Sequence, residues 1–84
     1  MYEIKFARTA IREIRSLPNQ VIQRVARKID QLTENPRPAG CRKLRGHTDL
    51  WRIRIGDYWV IYSISDDIEI IEIRRVRHRR DVYD

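Results

Sequence analysis

The chain has 84 residues, of which 42% are hydrophobic and 36% charged, and a formal net charge of +6. That length holds one small domain with a single core, and the apolar content is too high for a disordered chain. The longest apolar run, Tyr58 to Tyr62, is far short of the ~20 residues of a membrane span, and a single cysteine, Cys41, excludes an internal disulfide.

The N-terminus, MYEIKFARTA, lacks the basic-then-apolar layout of a signal peptide, so a soluble cytosolic protein is expected. Residues 1–6 alternate, with Tyr2, Ile4 and Phe6 on one side, and predict a short strand. Residues 8–16 place Ala10, Ile11 and Ile14 at helical spacing, with Arg8, Arg12 and Arg15 on the other side. Pro18 ends that helix and suits the first turn of the next. From 19 to about 34, Val21, Ile22, Val25, Ala26, Ile29 and Leu32 form an amphipathic stripe, with Arg24, Arg27, Lys28 and Asp30 outside. The segment from Asn35 to Gly40, with two prolines, is a loop.

The second half changes period. LWRIRIG (50–56) alternates Leu50, Arg52 and Arg54 against Trp51, Ile53 and Ile55, and Gly56-Asp57 marks a tight turn. YWVIYSIS (58–65) is β-branched and aromatic, Asp66-Asp67 turns again, and residues 68–76 alternate isoleucine with glutamate. Three strands joined by two-residue turns predict an antiparallel meander. The expected fold is α+β in a single domain over 1–84: a strand, a helical hairpin, then the meander, with the helices covering one face of the sheet.

The charge is unevenly spread. Fifteen of the eighteen bases are arginine, whose flat fork matches phosphate bidentately. Residues 42–54 carry five bases and one acid, residues 55–73 five acids and no base, and residues 74–84 five bases and two acids. This layout points to an anionic partner, with nucleic-acid phosphate the leading candidate. Arg52 and Arg54, two apart in a strand, share a face, which is either a solvated surface or a pair of fixed cations for phosphate chemistry. The run from Arg74 to Tyr83 continues directly from an apolar strand and mixes His78 and Tyr83 with arginines. His47, in its loop, reads as a surface residue. Cys41 and two histidines are a poor metal inventory, and no cofactor is expected.

The segments KLRGHTDLWRIRIGDYWVIYSI and VRHRRDVY resemble the RelE branch of the RelE/ParE toxin superfamily, and the resemblance covers nearly the whole chain. It implies a toxin of a type II toxin–antitoxin system that cuts mRNA in the ribosomal A site. The implied partners are the ribosome, its mRNA and a cognate acidic RelB-like antitoxin, the last in a heterotetramer. By the same resemblance Arg52 and Arg54 match the family's basic pair, Arg79 the catalytic arginine and Tyr83 the C-terminal tyrosine. The candidate RNA-binding residues are Lys43, Arg45, Trp59, Arg77 and Arg80. Two positions depart from the pattern: Trp59 stands where a GDYR motif has arginine, and Arg77 replaces a frequent glycine.

Metal-free RNA cleavage uses the neighbouring 2′-OH as nucleophile and leaves a 2′,3′-cyclic phosphate and a 5′-OH. The resemblance makes Tyr83 the base, with Arg52, Arg54 and Arg79 on the phosphate. His78 is the better acid on pKa grounds, provided that its ring faces the site. Two other readings fit the residues: a ParE-like gyrase inhibitor without RNA chemistry, and a plain nucleic-acid-binding module. For Trp59, the alternatives are a core position and a place on the active face, stacked on a base.

Overall fold

Alternate residues of the segment 58–65 have opposite fates: Val60, Tyr62 and Ile64 are buried, whereas Trp59, Ile61 and Ser63 are only partly covered. The structure, a computed structural model, describes residues 1–47 and 49–81. Its elements are β1 (Glu3–Phe6), α1 (Arg8–Arg15), α2 (Asn19–Leu32), β2 (Arg42–Lys43), β3 (Leu50–Ile55), β4 (Tyr58–Ser65) and β5 (Ile70–His78), followed by a single 3₁₀ turn over Arg79–Asp81. The strands form one sheet in the order β1-β5-β4-β3-β2. This is the expected α+β fold. No helix among the described residues is long and apolar enough to cross a membrane.

Both helices contribute to one core. Ala10 of α1 and Val25, Ile29 and Leu32 of α2 pack with Ile53, Ile55, Val60, Tyr62, Ile64, Ile71, Ile73 and Val76 of the sheet. The meander β3-β4-β5 is antiparallel as its hairpin spacing requires, and Gly56 opens the β3–β4 turn at φ 59. A positive φ at the first turn position matches the twist of a two-residue hairpin, so Gly-Asp serves where Asp-Gly is the commoner order.

The structure departs from the sequence reading in several places. β1 lies parallel to β5, with Glu3 opposite Ile70 and Phe6 opposite Ile73, a pairing no local pattern encodes. The turn after β4 has four residues, with Glu69 at φ 55, so Ile68 stands 63% exposed outside the strand. Phe6 and Ile11, counted as inward-facing, are also exposed, because β1 is an edge strand and α1 turns only Ala10 fully inward. β5 runs on to His78, and it carries a bulge: Ile61 pairs with Arg75 but Tyr62 with Ile73. The extra residue, Arg74, lets Ile73 and Val76 both face the core although they are three apart.

Two side-chain anchors tie loops to this sheet. Asp66 accepts from Tyr2 Oη at 2.6 Å and from Arg37 at 2.8 Å, and these bonds, Arg37's first, hold its carboxyl below the usual carboxylate range. Tyr62, wholly buried, donates to the Pro36 carbonyl at 2.8 Å and lies 3.1 Å from Cys41 Sγ. Burial and the Cys41 contact push its hydroxyl well above its ordinary pKa, so it remains a donor at every working pH.

Tyr62→Phe is expected to cost about 1–2 kcal/mol, since the Pro36 carbonyl loses its donor; urea denaturation reads this, and a loss of only a few tenths contradicts the anchor. Because Asp66 is more acidic folded than unfolded, its stabilisation is full above the unfolded pKa and disappears as pH falls through the folded one. Asp66→Asn should therefore flatten the acid limb of the stability profile below about pH 4, and an unchanged limb contradicts the assignment.

Candidate nucleic-acid interface

The sheet face away from the helices collects bases from three strands. Register sets Arg42 of β2 opposite Arg52 of β3, Arg54 opposite Trp59 of β4, and Ile61 and Trp59 opposite Arg75 and Arg77 of β5. Alternation then places Arg42, Arg52, Arg54, Trp59, Ile61, Arg75 and Arg77 on this one face. A groove of about 930 Å³ runs across it, lined by Arg42, Lys43, Leu44, Arg45, His47, Arg52, Ile61, Arg75, Arg77 and Asp81.

Arg52 lies on the groove floor. Its guanidinium carbon stands 4.7 Å from the centre of the Trp59 ring, a cation–π contact. Its Nε is buried and has no hydrogen-bond partner among the described residues. Such a donor is rare in a folded protein, and the guanidinium that carries it belongs to a residue lining the cationic groove. Trp59 is thus outside the core, as the stacking alternative has it, but the Arg52 guanidinium already covers one face of its ring.

Glu13 of α1 contacts two of the lining arginines. Where β1 ends, β5 has no strand on that side, and Glu13 Oε1 accepts the Val76 backbone N–H at 2.8 Å. Its other oxygen accepts from Arg75 at 3.0 Å and lies 3.6 Å from Arg77 Nε. One carboxylate therefore closes the strand edge beyond the bulge and orients two groove arginines.

The residues singled out by sequence separate into three groups. Lys43, Arg45, Arg52 and Arg77 line the groove, and Trp59 supports Arg52. Arg54 shares the face but not the groove: its Nε donates to the Gly56 carbonyl at 2.7 Å, and its guanidinium turns toward α2. His78 and Arg79 lie elsewhere. The His78 ring meets Tyr58 edge-on at 5.1 Å, on the face opposite Arg77 and Trp59, and its Nδ1 accepts from the Arg80 backbone. The condition on its role as acid, a ring facing the site, is unmet: strand alternation sends neighbouring residues to opposite faces. Arg79 pairs loosely with Asp57 at 3.8 Å beside the β3–β4 turn, and neither it nor Arg80 lines the groove. Tyr83 lies outside the described residues.

Sequence reading missed Arg42, Arg75, Glu13 and the groove position of His47. A two-residue strand such as β2 leaves no periodic trace, and the bulge hides which face Arg75 takes. The signal for Glu13 was present: it is the only acid in a helix that carries Arg8, Arg12 and Arg15.

The chain is similar to known proteins over nearly its full length. A family model described as the ParE toxin of the type II toxin–antitoxin system parDE matches residues 4–83. A putative RelE-like toxin protein of Escherichia coli is 31% identical over 86 residues, covering 98% of this chain and 90% of that protein. The mRNA interferase toxin RelE of Escherichia coli K12 is 29% identical with the same coverage. Among solved structures, the archaeal RelE–RelB complex from Pyrococcus horikoshii OT3 contains a chain that superposes with a TM-score of 0.84 at 31% identity, over 96% of this chain and 98% of that one.

Glu13→Ala leaves the Val76 N–H without an acceptor and Arg75 and Arg77 without their shared anion, so a loss of about 1–3 kcal/mol is expected in urea denaturation. Glu13→Gln keeps the acceptor and should restore part of that loss; equal stability of the alanine variant and wild type contradicts the clamp.

Proposed function

The chain belongs to the RelE/ParE superfamily of type II toxin–antitoxin toxins, and on that premise we propose that it is an endoribonuclease that cuts mRNA in the ribosomal A site. The observation that carries this reading is Arg52: a cation held against Trp59, with a buried and unpartnered Nε, on the floor of a groove rich in bases. The similarity to an mRNA interferase supports the same substrate.

In the proposed reaction the scissile phosphate lies between Arg52 and Arg77, and the adjacent 2′-OH attacks it in line. The phosphorus–5′-oxygen bond breaks, leaving a 2′,3′-cyclic phosphate and a 5′-OH, with no need for a metal. Fixed guanidinium groups stabilise the charge that grows on the phosphorane oxygens, which is where preorganised charge contributes most. Arginine stays protonated, so the proton transfers need other groups. The family resemblance gives Tyr83 the part of base, which takes the 2′-OH proton, and the leaving 5′-oxygen takes its proton from water. The groove favours Arg77 over Arg79 as the second phosphate-binding arginine, because Arg77 lines it, held by the Asp81 carbonyl at 3.0 Å and by Glu13 at 3.6 Å, whereas Arg79 stands at the β3–β4 turn. His78, turned to Tyr58, has no part in this proposal. A RelB-like antitoxin is the proposed partner, since solved relatives are RelE–RelB complexes. The ParE description of the matching family favours a second reading, gyrase inhibition.

Primer extension on mRNA in a translating extract tests the proposal. The wild-type protein should give breaks within codons, and Arg52→Ala and Arg77→Ala should each slow cleavage by about 10²–10³-fold with little change in melting temperature. Arg79→Ala should have a much smaller effect. Stabilised gyrase–DNA cleavage without RNA breaks favours the second reading.

A further inference from the structure

The arginines that have carboxylate partners stand mostly around β5: Arg75 and Arg77 with Glu13, Arg74 with Glu72, Arg79 with Asp57, while Arg37 holds Asp66. Four other bases, Arg24, Arg27, Lys28 and Arg54, make no ion pair among the described residues, yet they converge. With Gln31, Ile55 and Gly56 they line a cleft of about 290 Å³ between α2 and the end of β3, and no acid lines it.

Local geometry holds this cluster together. Arg24, Arg27, Lys28 and Gln31 recur at i, i+3, i+4 and i+7, so they form one stripe along α2. Like charges at such spacing oppose helix formation, and the helix's one acid, Asp30, does not pair with them. The Arg24 guanidinium lies against Gly56, with nitrogens 3.1 and 3.2 Å from the point where a Cβ would stand, so a side chain there would push it aside by a few tenths of an ångström. Arg54 enters from the other side, steered by its bond to the Gly56 carbonyl. The fold thus maintains a repulsive cluster with no internal anion to offset it.

We infer that this cleft is a second phosphate-binding site, which grips the RNA backbone on the far side of the β3–β4 turn from the cleaving groove. The inference rests on the endoribonuclease reading above. Arg52 and Arg54 connect the two places: their backbones are two strand residues, about 6.6 Å, apart on the same face, and one side chain serves the groove while the other serves the cleft. Guanidinium forks suit phosphate oxygens. A peptide helix needs apolar anchors, and the one apolar side chain lining the cleft, Ile55, is itself 7% exposed. The phosphate has two possible sources, the message and ribosomal RNA.

The test compares wild type with Arg27→Ala/Lys28→Ala in salt titrations against two probes: a fluorescein-labelled, uncleavable 2′-O-methyl RNA 12-mer, and mRNA-programmed ribosomes read by co-sedimentation. Two lost phosphate contacts should lower the slope of log K against log salt by about 1.4. A lower slope with the oligonucleotide assigns the site to the message; a lower slope with ribosomes alone assigns it to ribosomal RNA. The melting temperature should equal or exceed that of wild type, because repulsion along α2 is relieved, and Lys28→Arg should keep the wild-type slope. Unchanged slopes with both probes, while wild type still cleaves, overturn the cleft and leave the functional reading standing. A slope lost equally in Lys28→Arg overturns it too. A wild type that neither binds ribosomes nor cuts mRNA overturns the functional reading and the cleft with it.

Discussion

Both helices lie on one face of a five-stranded sheet, and that one-sided cover governs the rest of the molecule. With a single layer of helix, alternate residues of each central strand must be apolar, and the residues between them are left to solvent or to a ligand. β4 shows the consequence most directly, since Val60, Tyr62 and Ile64 are buried and Trp59 and Ile61 look outward. The apolar side is spent on stability. The other side is free to carry charge, and neighbouring strands place Arg42, Arg52, Arg75 and Arg77 there at the spacing of strand pairing.

A surface with so many like charges needs local compensation, and the fold supplies it selectively. Glu13 serves Arg75, Arg77 and the Val76 N–H together, so the edge left open where β1 ends is closed by a side chain. Trp59 serves Arg52 in a different way, by offering the face of an aromatic ring rather than a carboxylate. That difference matters for chemistry. A ring positions the cation without taking any of its hydrogen-bond donors. The bases of α2 have neither kind of support, which sets them apart from the groove.

Much of this was legible in the chain. The helical stripe through Val25, Ile29 and Leu32 and the alternation of residues 50–55 and 58–65 are local signals with strong periods, and each corresponds to an element with the expected buried side. Lys43, Arg45, Arg52 and Arg77 were also identifiable as bases in clusters, which pointed to a nucleic-acid partner. His78 and Arg79 were harder. They follow directly on the groove residues in sequence, yet a strand sends alternate side chains to opposite faces, and the chain turns away at Arg79.

The sequence by itself determined the α+β class, the number of core-facing strands in the meander, the cationic character and the kinship with RelE toxins, because each depends on composition or on a short repeating pattern. Tertiary structure alone decided the parallel seat of β1 against β5, the pairing of Arg42 with Arg52, the reach of Glu13 to Val76, and the parting of Arg54 from Arg52. Those contacts join residues distant in the chain, or depend on one extra residue in a strand. The bulge at Arg74 moves every later side chain of β5 to the other face, and with it Ile73 and Val76 are both buried in the core.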